Sequence, residues 1–255
     1  MSAEAIIKAQ ARDTLKGNWF GALCALLTVL IPFSIIDGAT TVLSCLFSDL
    51  IPDDTLRTVL IYSIGYSVEI LGFFFFSPLI NGFIRAFYRA SYSKRLLVGD
   101  VYYYMTKGRY HTALTLNAGF IFRMLIPAAL FYLPVVIFSV ITSQIEGFSD
   151  TVLCFDGYFI LTALSTLATA LYSLRYLTAF TIGADIDGLT PKQAYEYSRY
   201  IMKNRSGSPA KLVVSFIPWM LLCLLVLPTL YVIPYMTQSV CISAKWMTRS
   251  TFEVN

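Results

Sequence analysis

Long apolar runs separated by short charged segments dominate the chain. A helix needs about 20 apolar residues to cross the hydrocarbon core of a bilayer. Runs at 19–47, 58–87, 113–142 and 152–182 exceed that, and each predicts a membrane-spanning helix. At 1.5 Å rise per residue they reach roughly 45 Å, so they must tilt, kink or protrude. A last apolar stretch, 212–247, is punctuated by Pro228 and Pro234. It predicts two short spans, 212–227 and 229–247, with one kinked span or a span plus a re-entrant segment as the alternative. Pro127 and Pro134 predict kinks in the third span. The expected fold class is all-α: one polytopic transmembrane helical bundle of six spans.

The segments between the runs have their own patterns. Ile7, Ala11 and Leu15 recur at i, i+4, i+8 with Lys8, Arg12 and Lys16 beside them. That spacing predicts an interfacial amphipathic helix within residues 1–18, its cations near lipid headgroups. The apolar run that follows is too long for a cleaved secretory signal and reads as a retained span. Asp100 is placed to cap a segment holding Tyr102, Tyr103 and Tyr104, which read as an interfacial aromatic anchor. Thr190-Pro191-Lys192-Gln193 combines a capping box with proline at the first helical position, opening a helix to Lys203.

Charge gives the bundle a direction. Lys and Arg of short loops favour the cytoplasmic side. The N-terminal segment holds Lys8, Arg12 and Lys16. The loop 88–112 holds Arg89, Lys94, Arg95, Lys107 and Arg109, and the loop 183–211 holds Lys192, Arg199, Lys203, Arg205 and Lys211. The tail adds Lys245 and Arg249. Of the remaining loops, one has only Arg57 beside acidic residues and the other only Glu146 and Asp150. Fifteen cations thus face one against the alternate side, which predicts cytoplasmic N- and C-termini.

Composition agrees. Of the 255 residues 57% are hydrophobic and 13% charged, against about 45–50% and 25% in soluble domains. The net charge of +4 is spread over inter-span segments rather than gathered on a soluble face, which argues against a nucleic-acid partner. The five cysteines lie in or beside apolar runs and form no CxxC, so they read as packing residues.

The stretch Ala11-Arg12-Asp13-Thr14-Leu15-Lys16-Gly17-Asn18-Trp19 resembles the opening of a bacterial integral membrane family catalogued as domain of unknown function 975. The C-terminal third carries the same resemblance in Arg175-Tyr176, Asp187, Ala194, Ser198 and Met202-Lys203, then Lys211-Leu212, Ser215-Phe216-Ile217, Trp219 and Pro234-Tyr235. The chain departs from the pattern at Ala168-Thr169-Ala170-Leu171, where the family favours Ile-Pro-Gly, and at Asn204 and Pro218, where it favours glycine. The resemblance implies a multi-pass protein of the bacterial cytoplasmic membrane and no established activity.

Charges within spans are costly and are functional candidates by default. Glu69, Arg123 and Arg175 lie inside predicted spans, and Asp156 lies near the outer end of the fourth. A polar cavity gated by Glu69 and Arg123 is the sharper reading; structural pairing is the plainer one. Arg123 and Arg175 together would suit a lipid phosphate. Arg85 is expected to snorkel to the cytoplasmic interface, where Tyr176 also belongs. Asp185 and Asp187 form a close carboxylate pair at the membrane surface, able to hold a divalent cation or simply ending a helix. Thr162, Ser165, Thr166, Thr169 and Ser173 make a small-residue face suited to helix packing. A single histidine, His111, excludes a two-His metal set, and no P-loop or GxGxxG is present. No catalytic group, cofactor or metal is therefore expected. The expected function is non-enzymatic organisation of anionic lipid or a protein partner through the basic cytoplasmic face. The alternative is a small-solute or lipid transporter with a polar intramembrane site.

Overall fold

The computed structural model describes residues 2–50, 54–106, 108–144, 152–185, 188–203, 207–223 and 226–252. Every regular element among them is helical. Helix α1 (Ala3–Leu15) leads into a first hairpin, α2 (Trp19–Leu50) and α3 (Asp54–Ser93). A 3-10 segment (Val98–Met105) connects it to a second hairpin, α4 (Tyr110–Ser143) and α5 (Val152–Ser173). Then come α6 (Leu177–Asp185), α7 (Pro191–Lys203), α8 (Gly207–Val214), α9 (Ile217–Leu222) and α10 (Val226–Phe252).

Among the described residues, four helical stretches are long and apolar enough to cross a membrane: Trp19–Leu46, Thr55–Ser93, Tyr110–Ser143 and Cys154–Ala184. Their most apolar windows are at most 17% buried within the protein. Ile35, Val42, Ile70 and Leu71 on the first hairpin, and Phe122, Ile126, Leu130 and Phe159 on the second, are exposed. In water such a surface would be prohibitive, at about 25 cal/mol per Å² of apolar area; lipid chains cover it without cost. Most of the buried core lies at one end. There Asn18 donates to Lys94 O (2.9 Å) and accepts from Leu96 N, tying the start of α2 to the end of α3. We call this the inner end. The hairpins meet near it: Asn81 Nδ2 donates to Ala113 O (3.2 Å) and Tyr110 Oη reaches Phe74 O.

The two short spans expected at 212–227 and 229–247 are not among these four stretches. The first is divided between α8 and α9, of eight and six residues, each far too short to cross. The chain leaves α9 at Leu222, and Pro228 sits in the first turn of α10, where its missing N–H costs nothing. Nor does α10 run along a hairpin. Tyr231 stacks on Trp19 (centroids 4.7 Å apart), while Lys245 Nζ donates to Ser91 O (2.6 Å). Both contacts fall at the inner end, although the residues are ~21 Å apart along the helix. Helix α10 thus crosses the inner end.

This placement also changes α1. Its apolar stripe exists as expected, with Ile7, Ala11 and Leu15 buried, but it is spent on the protein's own core, which includes Phe216, Tyr235 and Ile242. Lys8 lies over the Phe216 ring (4.3 Å) and donates to Ser215 O (3.1 Å), and Tyr235 Oη donates to Lys8 O. Partial burial pulls the Lys8 ammonium pKa below its ordinary value.

The fourth expected span is interrupted by a 3-10 turn, Leu174–Tyr176, although no proline or glycine stands there. Ser198 of α7, fully buried, donates to Arg175 O (2.9 Å) and accepts from Thr178 Oγ1 (2.8 Å), holding the break. The α7 capping box forms: Thr190 N donates to Gln193 Oε1 (3.1 Å), and Gln193 N reaches back to Thr190 Oγ1. Asp100 does not cap. It is the third residue of its 3-10 segment, after Leu97 at the N-cap, and accepts from Arg89 Nη1 (2.7 Å).

Candidate functional site

The inner end gathers most of the buried polar side chains of the described residues. On α3, Ser77, Asn81 and Arg85 follow one another at i, i+4, i+8, the spacing of a single helix face, and all three are buried. Arg85, only 9% exposed, lies over the Tyr103 ring (3.5 Å) and donates to Ala184 O at the end of α6. Arg109 also lies over Tyr103 (4.1 Å), and Tyr104 Oη donates to Gly183 O (3.0 Å). Carbonyls at a helix C-terminus lack intrahelical donors and carry partial negative charge. A guanidinium and a phenol therefore complete α6, and the α6 end supplies the charge complement that Arg85 needs. Arg85 was expected to snorkel outward; it is instead drawn inward by that helix end. Of the tyrosine triplet only Tyr102 is exposed, so Tyr103 and Tyr104 serve this joint rather than a membrane surface.

Several polar atoms here have no hydrogen-bond partner: Asn81 Oδ1, Arg85 Nε, Asn117 Nδ2 and both amide atoms of Gln238. Asn117 is one turn along α4 from Ala113, which receives Asn81, and Gln238 is fully buried on α10 beside Ser239. This seam escaped the sequence reading because only charged residues within spans were weighed as candidates, and the uncharged Ser77, Asn81, Asn117 and Gln238 were not. The i, i+4, i+8 recurrence of Ser77, Asn81 and Arg85 was the signal that could have found it.

The intramembrane charges do not converge. Glu69 is exposed on α3 and lines a shallow groove between α2 and α3 with Asp37, Thr40, Thr41, Ser44, Tyr62 and Tyr66. Arg123 lies over the Tyr195 ring (4.2 Å) and donates to Gly119 O (2.9 Å), a local and protein-satisfied placement. Tyr195 in turn donates to Leu116 O, and its burial pushes the phenol pKa up. Arg175 is exposed in the 3-10 break, with its guanidinium over Tyr172 (4.7 Å). Tyr176 is buried against Phe120 and Tyr195, a core residue rather than an interfacial one. Asp156 is exposed near the start of α5. Asp185 closes α6, and Asp187 lies outside the described residues, so the pair cannot be placed together. The small-residue face of α5 packs on α4: Ser165 is buried, Thr166 Oγ1 meets Tyr132 Oη (2.7 Å), and Thr162 is also on this face.

The remaining surface of the inner end is basic and aromatic. Arg57 apart, every described Lys and Arg stands on α1 or its C-cap, the inner part of α3, the connection to α4, the first half of α4, the 3-10 break, or α7, α8 and α10. Trp19, Trp219, Tyr231 and Tyr235 form a contiguous ring cluster across α2, α9 and α10. Among the described residues no group of His, Cys, Asp and Glu is placed to hold a metal ion. Comparison with protein-family profiles, with curated proteins and with solved structures returns no match.

Proposed function

We propose that this is a bacterial cytoplasmic-membrane protein whose two hairpins anchor a basic inner-end platform that collects anionic lipid, or an acidic partner, without catalysing a reaction. One observation carries the reading: Arg57 apart, the described cations gather toward the end where the buried core lies, and the rest of both hairpins is mostly exposed apolar helix. Cations beside an anionic leaflet contribute about 1 kcal/mol each, so a platform of this kind accumulates acidic headgroups by summation. The transporter alternative has less support, because Glu69, Arg123 and Arg175 stand on separate elements with separate surroundings. Membership of domain of unknown function 975 remains part of the proposal and rests on the residues quoted above.

We further propose four spans with both termini in the cytoplasm, and α8 to α10 lying at the cytoplasmic interface. The same-end contacts of α10 support this count over six. In sealed inside-in vesicles, single cysteines replacing Ser2 and Thr248 in a cysteine-free background should resist a membrane-impermeant maleimide until the vesicles are opened. Labelling of Thr248→Cys from outside would refute the shared-side topology. For the function itself, protein extracted from native membrane in polymer discs should carry several-fold more phosphatidylglycerol than the bulk lipid. Discs matching the bulk composition, with no acidic protein co-purified, would refute the platform reading.

A further inference from the structure

The surface where α1 meets the aromatic cluster is concave. Ala9, Arg12, Asp13, Lys16, Trp19 and Tyr231 line one pocket. Arg12 is in the last turn of α1 and Lys16 is its C-cap, with its N–H on Arg12 O; both line the pocket, and neither has a carboxylate partner among the described residues. Asp13, which also lines the pocket, has its carboxylate turned to Lys94 (3.9 Å) rather than to either cation, so the two cations outweigh it at the pocket. The floor is the Trp19–Tyr231 stack, whose planes differ by 17°. Beside Trp19 stands Phe20, 82% exposed, and one turn before Tyr231 stands Leu227, 79% exposed.

Each layer has its own chemistry. Trp and Tyr rings settle at headgroup level, where an apolar body meets water. Two unpaired cations just beyond them suit a phosphate oxygen pair. Bare Phe20 and Leu227, next to Trp19 and one turn from Tyr231 along the chain, suit acyl chains. We infer that this pocket is a headgroup site for an anionic glycerophospholipid, with its phosphate on Arg12 and Lys16, its glycerol against Trp19 and Tyr231, and its chains along Phe20 and Leu227. The inference rests on the platform reading but is narrower, since it assigns selectivity to two of many inner-end cations.

The test uses the full chain with Trp219→Phe and Trp246→Phe, leaving Trp19 as the sole tryptophan, excited selectively over tyrosine, in phosphatidylcholine vesicles. A minor fraction of chain-brominated phosphatidylglycerol should quench Trp19 several-fold more than the same fraction of brominated phosphatidylcholine. Arg12→Gln with Lys16→Gln should erase the difference, a loss of relative affinity of order tenfold for two cations. Lys192→Gln with Arg199→Gln on α7 should leave it in place. The charge-keeping pair Arg12→Lys with Lys16→Arg should retain the preference; its loss there too would assign the effect to folding and overturn the inference. Preference surviving in the Gln pair but lost in the α7 pair overturns the pocket and leaves the platform standing. Absence of any preference in the parent overturns both. Displacement of the brominated anionic lipid by inorganic phosphate would assign the site to a soluble phosphate and overturn the lipid assignment.

Discussion

Gly82→Ala is expected to destabilise the protein by about 3 kcal/mol or more, against the direction that helix propensity gives. Gly82 lies inside α3, where alanine is ordinarily better by about 1 kcal/mol. Here a Cβ would run into the Val101 carbonyl, with the carbonyl carbon 2.6 Å away and Val101 Cα at 2.9 Å. The obstacle is backbone, so no rotamer change relieves it, and Val101 is itself fully buried. The 3-10 segment must then lift off α3, taking Tyr103 and Tyr104 from their contacts with Arg85 and Gly183. Overpacking alone costs about 1–3 kcal/mol, and a displaced segment adds to that. Thermal unfolding in detergent reads the effect directly. Gly99→Ala, whose Cβ would meet nothing within 4 Å, is the matched control and should leave the midpoint near the parent's. A Gly82→Ala midpoint equal to the control's would mean that the segment does not lie on α3 as described.

What made four of the helices legible from sequence was the mismatch between their surface and water. Runs such as 58–87 and 113–142 carry only two charges and one charge respectively over about 30 residues, and hydropathy responds to that average. The reading failed where the same hydropathy is spent on protein. Stretch 212–247 is as apolar as a span because it packs against α1 and α3, burying Phe216, Tyr235, Cys241 and Ile242. A core helix and a lipid-facing helix look alike over short windows, and the two prolines suggested a turn where one is merely a first-turn residue. The break at Leu174–Tyr176 was silent for a related reason. It is held from outside by Ser198, twenty-odd residues on, and leaves no local punctuation. Capping chemistry is local, and so the Thr190–Gln193 box could be read in advance. The candidate site was legible only as charge. Which end the cations occupy followed from alternation, whereas Arg85 turning into the protein required α6 to end beside it.

Arg85→Met tests that last point and is expected to cost about 2 kcal/mol. A lone buried cation is a liability, and replacing one with an apolar residue of similar volume is often neutral or stabilising. Three contacts argue for the opposite sign here. The guanidinium donates to Ala184 O at the α6 C-terminus, a charged hydrogen bond of about 1.5–3 kcal/mol. It sits 3.5 Å from the Tyr103 centroid, and a desolvated cation–π contact contributes about 2 kcal/mol. It also meets the negative end of a nine-residue helix. The unpartnered Nε and the burial of the charge offset part of this sum, which is why the net is well below it. Arg85→Lys keeps the charge but not the planar fork, so it should recover less than half of the loss. Tyr103→Leu combined with Arg85→Met should cost less than the two alone, by about 1 kcal/mol, because the stack is lost only once. Amide hydrogen exchange should show the loss concentrated at the 3-10 segment and α6, the elements that Arg85 joins. An Arg85→Met protein as stable as the parent, with unchanged exchange at α6, would mean that the buried charge costs as much as its contacts return and that the joint is held by apolar packing alone.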